Sequence, residues 1–103
     1  MPRRTPPPPL PVRRALRKLG SDIREARLRR RIQTAVMADR LQVSRPTLWK
    51  LEQGDPSVGM GVYATALYVL GIVDRLMDLA DISRDPVGQQ LASEALPKRI
   101  ASK

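Results

Sequence analysis

Apolar residues recur at three- and four-residue intervals through most of the chain, and the places where that rhythm breaks divide it into short helices. Leu16, Leu19, Ile23 and Ala26 keep the interval across Arg13 to Arg31, with basic side chains over the rest of the surface, which predicts a first helix. Gly20 lies inside that pattern, so ordered helix is expected to begin only near Leu19 or Ser21. Met37, Ala38 and Leu41 mark a second, short segment, and Leu48 and Leu51 a third. Gln42, Val43 and Ser44 alone separate these two, which leaves room for a sharp corner and nothing longer. The Ser44 hydroxyl suits the free N–H groups that open the third segment, and Pro46 falls in its first turn, where a missing N–H costs nothing.

Gly54-Asp55-Pro56 is turn chemistry, and Met60 to Leu70 predicts a fourth helix with Met60, Tyr63, Ala64, Leu67 and Leu70 on its apolar side and Gly71 as its stop. Tyr63 and Tyr68 are read as packing residues. Ile72 to Ala80 predicts a fifth short helix. Its Ile72, Val73, Leu76, Met77 and Leu79 exceed what an exposed helix of that length needs, so part of that surface is expected to form a dimer seam; closure of the monomer's own core is the competing use. Asp85-Pro86 reads as a cap followed by proline at the first helical position, opening a short segment with Val87, Leu91 and Ala95 that stops at Pro97, before a flexible basic tail. Met1 to Val12, MPRRTPPPPLPV, is too rich in proline for a helix and reads as a disordered polyproline-II arm. The expected organisation is all-α: an arm over residues 1–12, a five-helix bundle over 13–81, and a C-terminal extension over 82–103.

Composition narrows the chemistry. Apolar residues make up 42% of the chain but aromatics only 3%, with no Phe, so the core must be aliphatic. With no Cys and no His there is no disulfide, thiolate metal site, cysteine nucleophile or histidine base. Its serines have no base to activate them, no carboxylate pair has catalytic spacing, and no glycine pattern cradles phosphate, so neither an enzyme nor a cofactor or metal is expected. Val62 to Val73, the longest apolar-rich run, is too short to span a bilayer, and the N-terminus has no apolar signal region; a cytoplasmic protein is expected.

Charge points to a partner. Residues 1–31 hold 11 Lys/Arg against Asp22 and Glu25, a net +9, while residues 32–103 hold eight of each sign. Such asymmetry suits a polyanion, most simply nucleic acid, with a solvated basic tail as the plainer alternative. The arm's Arg3 and Arg4, with Arg13 and Arg14, fit wrapping around a duplex; its PPPPLP also fits a loose PxxP ligand, and a simple spacer is the third reading. On the third segment, Arg45, Pro46, Trp49, Lys50 and Gln53 lie opposite Leu48 and Leu51. Arg45 and Lys50 suit the O6 and N7 acceptors of guanine, Pro46 a thymine methyl, and Ser44, Thr47 and Thr34 phosphates. Trp49 fits either packing on deoxyribose or shielding of the helix. Arg29, Arg30 and Arg31 suit the negative end of the first helix or phosphates equally well.

Over Leu19 to Leu70 the chain resembles the Cro/cI-type (XRE) helix-turn-helix regulators: Ile23, Ala26 and Arg27; Ile32, Gln33 and Thr34; Met37, Ala38 and Leu41; Val43, Ser44 and Arg45; Leu48; and Lys50-Leu51-Glu52-Gln53-Gly54. It departs at Thr34, where the family has a phosphate-binding Gln, and at Gln42, where the family has Gly. The resemblance implies a dimeric, double-stranded-DNA-binding repressor, an ion pair between Arg27 and Glu52, and DNA-backbone contact near Ser57. A homodimer also follows from operators whose half-sites lie about 34 Å apart. The C-terminal run from Leu79-Ala80-Asp81 to Lys98-Arg99-Ile100 is similar to HipB-type antitoxins and implies a HipA-like kinase toxin as partner. The alternatives are a stand-alone regulator and a protein-interaction module.

Overall fold

The structure, a computed structural model, describes residues 6–101, with side chains through Ala95. Every regular element among them is helical: α1 (Leu10–Arg29), α2 (Thr34–Leu41), α3 (Arg45–Glu52), α4 (Met60–Val69), α5 (Pro86–Ala101) and two 3-10 turns, Val73–Asp78 and Ile82–Arg84. None of the helices is long and apolar enough to cross a membrane. The chain divides into two compact units, Met1–Val73 and Asp74–Lys103, so the division comes earlier than the sequence boundary after Asp81.

In the first unit, Ile23 and Ala26 of α1, Met37, Ala38 and Leu41 of α2, and Leu48 and Leu51 of α3 are buried with Val58, Tyr63, Ala66, Leu67 and Leu70. Helix α3 packs on α1 and α2, and α2 packs on α4. Burial of such side chains, each worth about 1.5–3 kcal/mol, is the main force holding three short helices that would be marginal alone.

Helix α1 starts well before the expected Leu19. Pro11 sits in its first turn, where no N–H partner is missed, and the Arg13 N–H already bonds the Pro9 carbonyl at 3.0 Å. Leu10, Pro11 and Val12 are therefore helical and only Pro6 to Pro9 remain of the arm among the described residues; Arg3 and Arg4 lie outside them. Gly20 is no breaker here, because it is buried where α1 crosses the end of α3.

The four helices of this unit end in one way. Arg31, Gln42, Gly54 and Gly71 each take a left-handed φ, between 54° and 83°. The residue after each returns its N–H to a carbonyl five residues back: Ile32 to Arg27, Val43 to Ala38, Asp55 to Lys50, Ile72 to Leu67. This double-bonded stop satisfies carbonyls that a bare helix end would leave open. It reverses the chain within two residues, which is why the connections are so short.

Two expectations for α4 change. Met60 lies on the apolar stripe but in the first turn, and it stands 70% exposed; Ala66, fully buried, takes its share of the contact. Tyr68 is 69% exposed, since five residues beyond Tyr63 is about 140° around the helix, away from the core.

In the second unit the expected fifth α-helix is a 3-10 turn closed by short i to i+3 bonds, among them Leu79 N–H to Leu76 O. Six residues are too few to nucleate an α-helix without a packed face, and none of them is buried. Asp81 opens the next turn by accepting from the Ser83 N–H at 2.9 Å, and Asp85 caps α5 by accepting from the Gly88 N–H at 2.9 Å. Helix α5 does not stop at Pro97 but continues to Ala101. An interior proline costs one backbone bond and crowds the carbonyl four residues back, yet its fixed φ is helical, and here the backbone stays helical past it.

Candidate nucleic-acid interface

The corner between α2 and α3 is built by local bonds. Gln42 adopts φ 57° and its amide donates to the Asp39 carbonyl at 2.8 Å, a side-chain bond that a glycine at this corner would lack. Ser44 caps α3: its Oγ accepts from the Thr47 N–H at 3.2 Å and donates to Thr47 Oγ1 at 3.0 Å. That arrangement uses the Ser44 proton and leaves the Thr47 hydroxyl free to donate outward.

Behind this corner α3 is held from two sides. Leu48 and Leu51 are 1% and 0% exposed, so the helix has one rotational setting. Arg27 of α1 reaches Glu52 through two bonds, Nε to Oε2 at 2.6 Å and Nη2 to Oε1 at 3.1 Å, and its third nitrogen, Nη1, donates to the Ile32 carbonyl at 2.9 Å. Both side chains are buried, so the pair fixes α3 against α1 in a setting where a lone charge would be costly. Close by, the backbones of Gly20 and Gly54 approach so nearly that a Cβ on Gly20 would lie 2.5 Å from the Gly54 nitrogen.

The opposite face is open. Arg45, Pro46, Trp49, Lys50 and Gln53 are all exposed, Trp49 to 64%. Neither Arg45 nor Lys50 is sealed by packing, and the two stand on a helix short enough to enter a groove end-on. Thr34 is the first residue of α2 and is exposed; Gln33 caps that helix without a side-chain bond.

The loop after α3 is arranged differently from the expectation for Ser57. Its N–H donates to Asp55 Oδ1 at 2.8 Å, and is therefore not free for a phosphate. That bond, more than any other effect, holds the Asp55 carboxyl below the usual carboxylate range, with the Lys50 charge adding to it. The Ser57 side chain bonds the same carboxylate, the second cause of its lowered pKa, and a carboxylate kept ionised there opposes an approaching phosphate. Tyr63 supports the same loop: its hydroxyl donates to the Asp55 carbonyl at 2.8 Å, and burial raises its pKa.

At the end of α1, Arg30 Nη1 donates to the Ala26 carbonyl at 3.0 Å, so this arginine serves the helix terminus. Sequence reasoning misses Arg17, Ser21 and Arg24, which line a cleft of about 550 Å³ with Thr34, Trp49, Glu52 and Gln53. Their spacing of four and three residues exposes the stripe only when α1 is read as continuous through Gly20.

A family model described as a helix-turn-helix domain matches residues 18–87. No curated protein and no solved structure matches the chain.

Proposed function

For a chain that belongs to the helix-turn-helix domain family, and is thereby a DNA-binding regulator, we propose a sequence-specific, dimeric repressor of the Cro/cI type that reads its operator with α3. The observation that carries this reading is the two-sidedness of α3: Leu48 and Leu51 are sealed in the core while Arg45, Pro46 and Lys50 stand in solvent on the other face. Arg45 and Lys50 read base edges, Pro46 meets a thymine methyl, and Thr34, Thr47 and Trp49 serve the backbone, with Ser44 holding Thr47 in place and Ser57 turned to Asp55 instead of a phosphate. The dimer seam is Ile72, Val73, Leu76, Met77 and Leu79; in its support, Met77 and Leu79 are 85% and 63% exposed.

Selection of bound sites from random duplex tests the reading. A single enriched motif is expected, and Arg45→Ala should cost about 1–3 kcal/mol and relax one base position. No enriched motif would remove sequence-specific regulation; an even loss across all sequences would make Arg45 a phosphate contact.

The repressor is further proposed to be the antitoxin of a HipBA-like pair that represses its own operon and holds a Ser/Thr kinase toxin. Support comes from the likeness of residues 79–100 to such antitoxins and from the second unit's lack of a core: among the described residues from Asp74 to Ala95 none is buried. Co-expression with the product of the neighbouring gene should yield a complex with a kinase-like protein, lost on truncation after Ala80. Purification alone with a kinase-like neighbour present would leave a stand-alone regulator.

A further inference from the structure

Three hollows run on from one another along one side of α1. The first, about 550 Å³, is walled by Arg17, Ser21 and Arg24 of α1, by Trp49 of α3 and by Gln53 just after it, with Thr34 at its end. Arg17 and Gln53 pass into a second of about 200 Å³, shared with Arg13, Gly54, Asp55 and Pro56. Arg13, Asp55 and Pro56 continue into a third of about 350 Å³, closed by Pro6, Pro7 and Pro8. Arg13, Arg17 and Arg24 therefore edge one trough: spaced by four and seven residues, they fall on one stripe of α1 over about 16 Å of its axis.

The trough carries a positive excess: Arg13, Arg17 and Arg24 line it against one uncompensated carboxylate, Asp55, which stays ionised, since Glu52 is neutralised by Arg27. Arg24 also meets Glu25 at 3.2 Å, an exposed pair of little strength that a phosphate can replace. Arg13 and Arg17, one turn apart, repel each other in the free chain, a cost that a polyanion removes. Arg45, Trp49 and Gln53 follow one another at four-residue spacing along α3 and its C-cap, so the trough and the base-reading face share an edge.

We infer that this trough seats the sugar-phosphate backbone of the strand flanking the groove that α3 enters, with phosphodiester oxygens on Arg13, Arg17 and Arg24 and a deoxyribose against Trp49. The inference rests on the DNA-binding reading above and adds to it a contact surface from α1, outside the two helices of the corner. Guanidinium groups suit the task because each stays charged and presents a fork to two phosphate oxygens.

The test uses the full chain and a labelled duplex carrying the selected motif, titrated from 50 to 200 mM salt. Arg17→Ala with Arg24→Ala removes two phosphate contacts, so the slope of log affinity against log salt should become shallower by about 1.8, equivalent to about twelvefold less loss of affinity over that range. The selected motif should not change, and the emission of Trp49, the sole tryptophan, should respond to duplex in the wild type. Arg14→Ala with Lys18→Ala removes equal charge one residue off the stripe and should move the slope by less than half as much. If the first double variant does not fold, Arg17→Gln and Arg24→Gln singly should each move it by about 0.9. Slopes unchanged by the trough variants, or changed equally by the two double variants, overturn the inference and leave the role of α3 standing. A wild-type chain that holds no duplex at all removes both.

Discussion

Gly20→Ala is expected to destabilise the first unit, although in an ordinary helix interior the same change is favourable by about 0.5–1 kcal/mol. A Cβ at Gly20 would lie 2.5 Å from both the Gly54 nitrogen and the Leu51 oxygen and 2.9 Å from the Glu52 oxygen. All three are backbone atoms of α3 and its terminal turn, so no rotamer change relieves the clash. Ordinary contact begins at 3.4 Å, and α1 and α3 must part by the difference, 0.9 Å, at their crossing point. Overpacking that cannot be relaxed locally costs up to about 3 kcal/mol. Set against the propensity gain, the net loss is about 2 kcal/mol, or roughly 10 °C in melting temperature for a domain of this size. Parting the helices also strains the Arg27–Glu52 bonds, which span the same seam. Gly61→Ala is the matched control. Gly61 lies in the first turn of α4, and a methyl group added to it would meet nothing within 4 Å, so about 0.5 kcal/mol should be gained there. Urea unfolding followed by far-ultraviolet circular dichroism reads both variants. A Gly20→Ala chain as stable as wild type would refute the close approach as the reason for glycine at this position.

Three further outcomes follow from the same geometry. Glu52→Ala should cost about 3–5 kcal/mol, because it leaves the buried Arg27 guanidinium without its carboxylate; a double replacement by Met at 27 and Leu at 52 should recover most of that loss in the same unfolding assay. Gln42→Gly should stabilise the chain by about 0.5–1 kcal/mol, since relief of the left-handed φ outweighs an exposed amide bond to Asp39; a lower melting temperature would show that the amide bond matters more. The pH dependence should have two limbs. The Asp55 carboxyl is held below 3.8, first by the Ser57 N–H, so its stabilisation is present above that pH and is lost as pH falls through the folded value; Asp55→Asn should flatten the acid limb. The Tyr63 hydroxyl is raised above 10.0, first by burial, so its stabilisation is present below that pH and is lost as pH rises through the folded value; Tyr63→Phe should flatten the alkaline limb.

What the sequence discloses about this chain is what short-range chemistry decides. The Ser44 cap, the position of Pro46 in the first turn of α3, the inward Leu48 and Leu51 and the Gly71 stop all depend on residues within one or two turns, and spacing alone locates them. Gly20 shows where that logic ends. Its low helix propensity argues for a late start to α1, but its neighbours in space are Leu51, Glu52 and Gly54, more than thirty residues on, and only those contacts explain a glycine there. Misplacing the start of α1 has a functional consequence, since Arg13, Arg17 and Arg24 form a stripe only if the helix is continuous through position 20. The turn after α3 is a second case. Ser57 sits at the right place in the sequence for a phosphate contact, yet its N–H is claimed by Asp55 two residues earlier, a competition between side chain and ligand that spacing does not reveal. In the second unit the apolar spacing favours an α-helix over residues 72–80, but periodicity supplies only a face, and without a packed surface against it the segment closes as a 3-10 turn. A partner would therefore change this part of the chain most: Met77, Leu79, Ile82, Val87 and Leu91 are exposed and have no core, so burial by a second chain is what would decide their final structure.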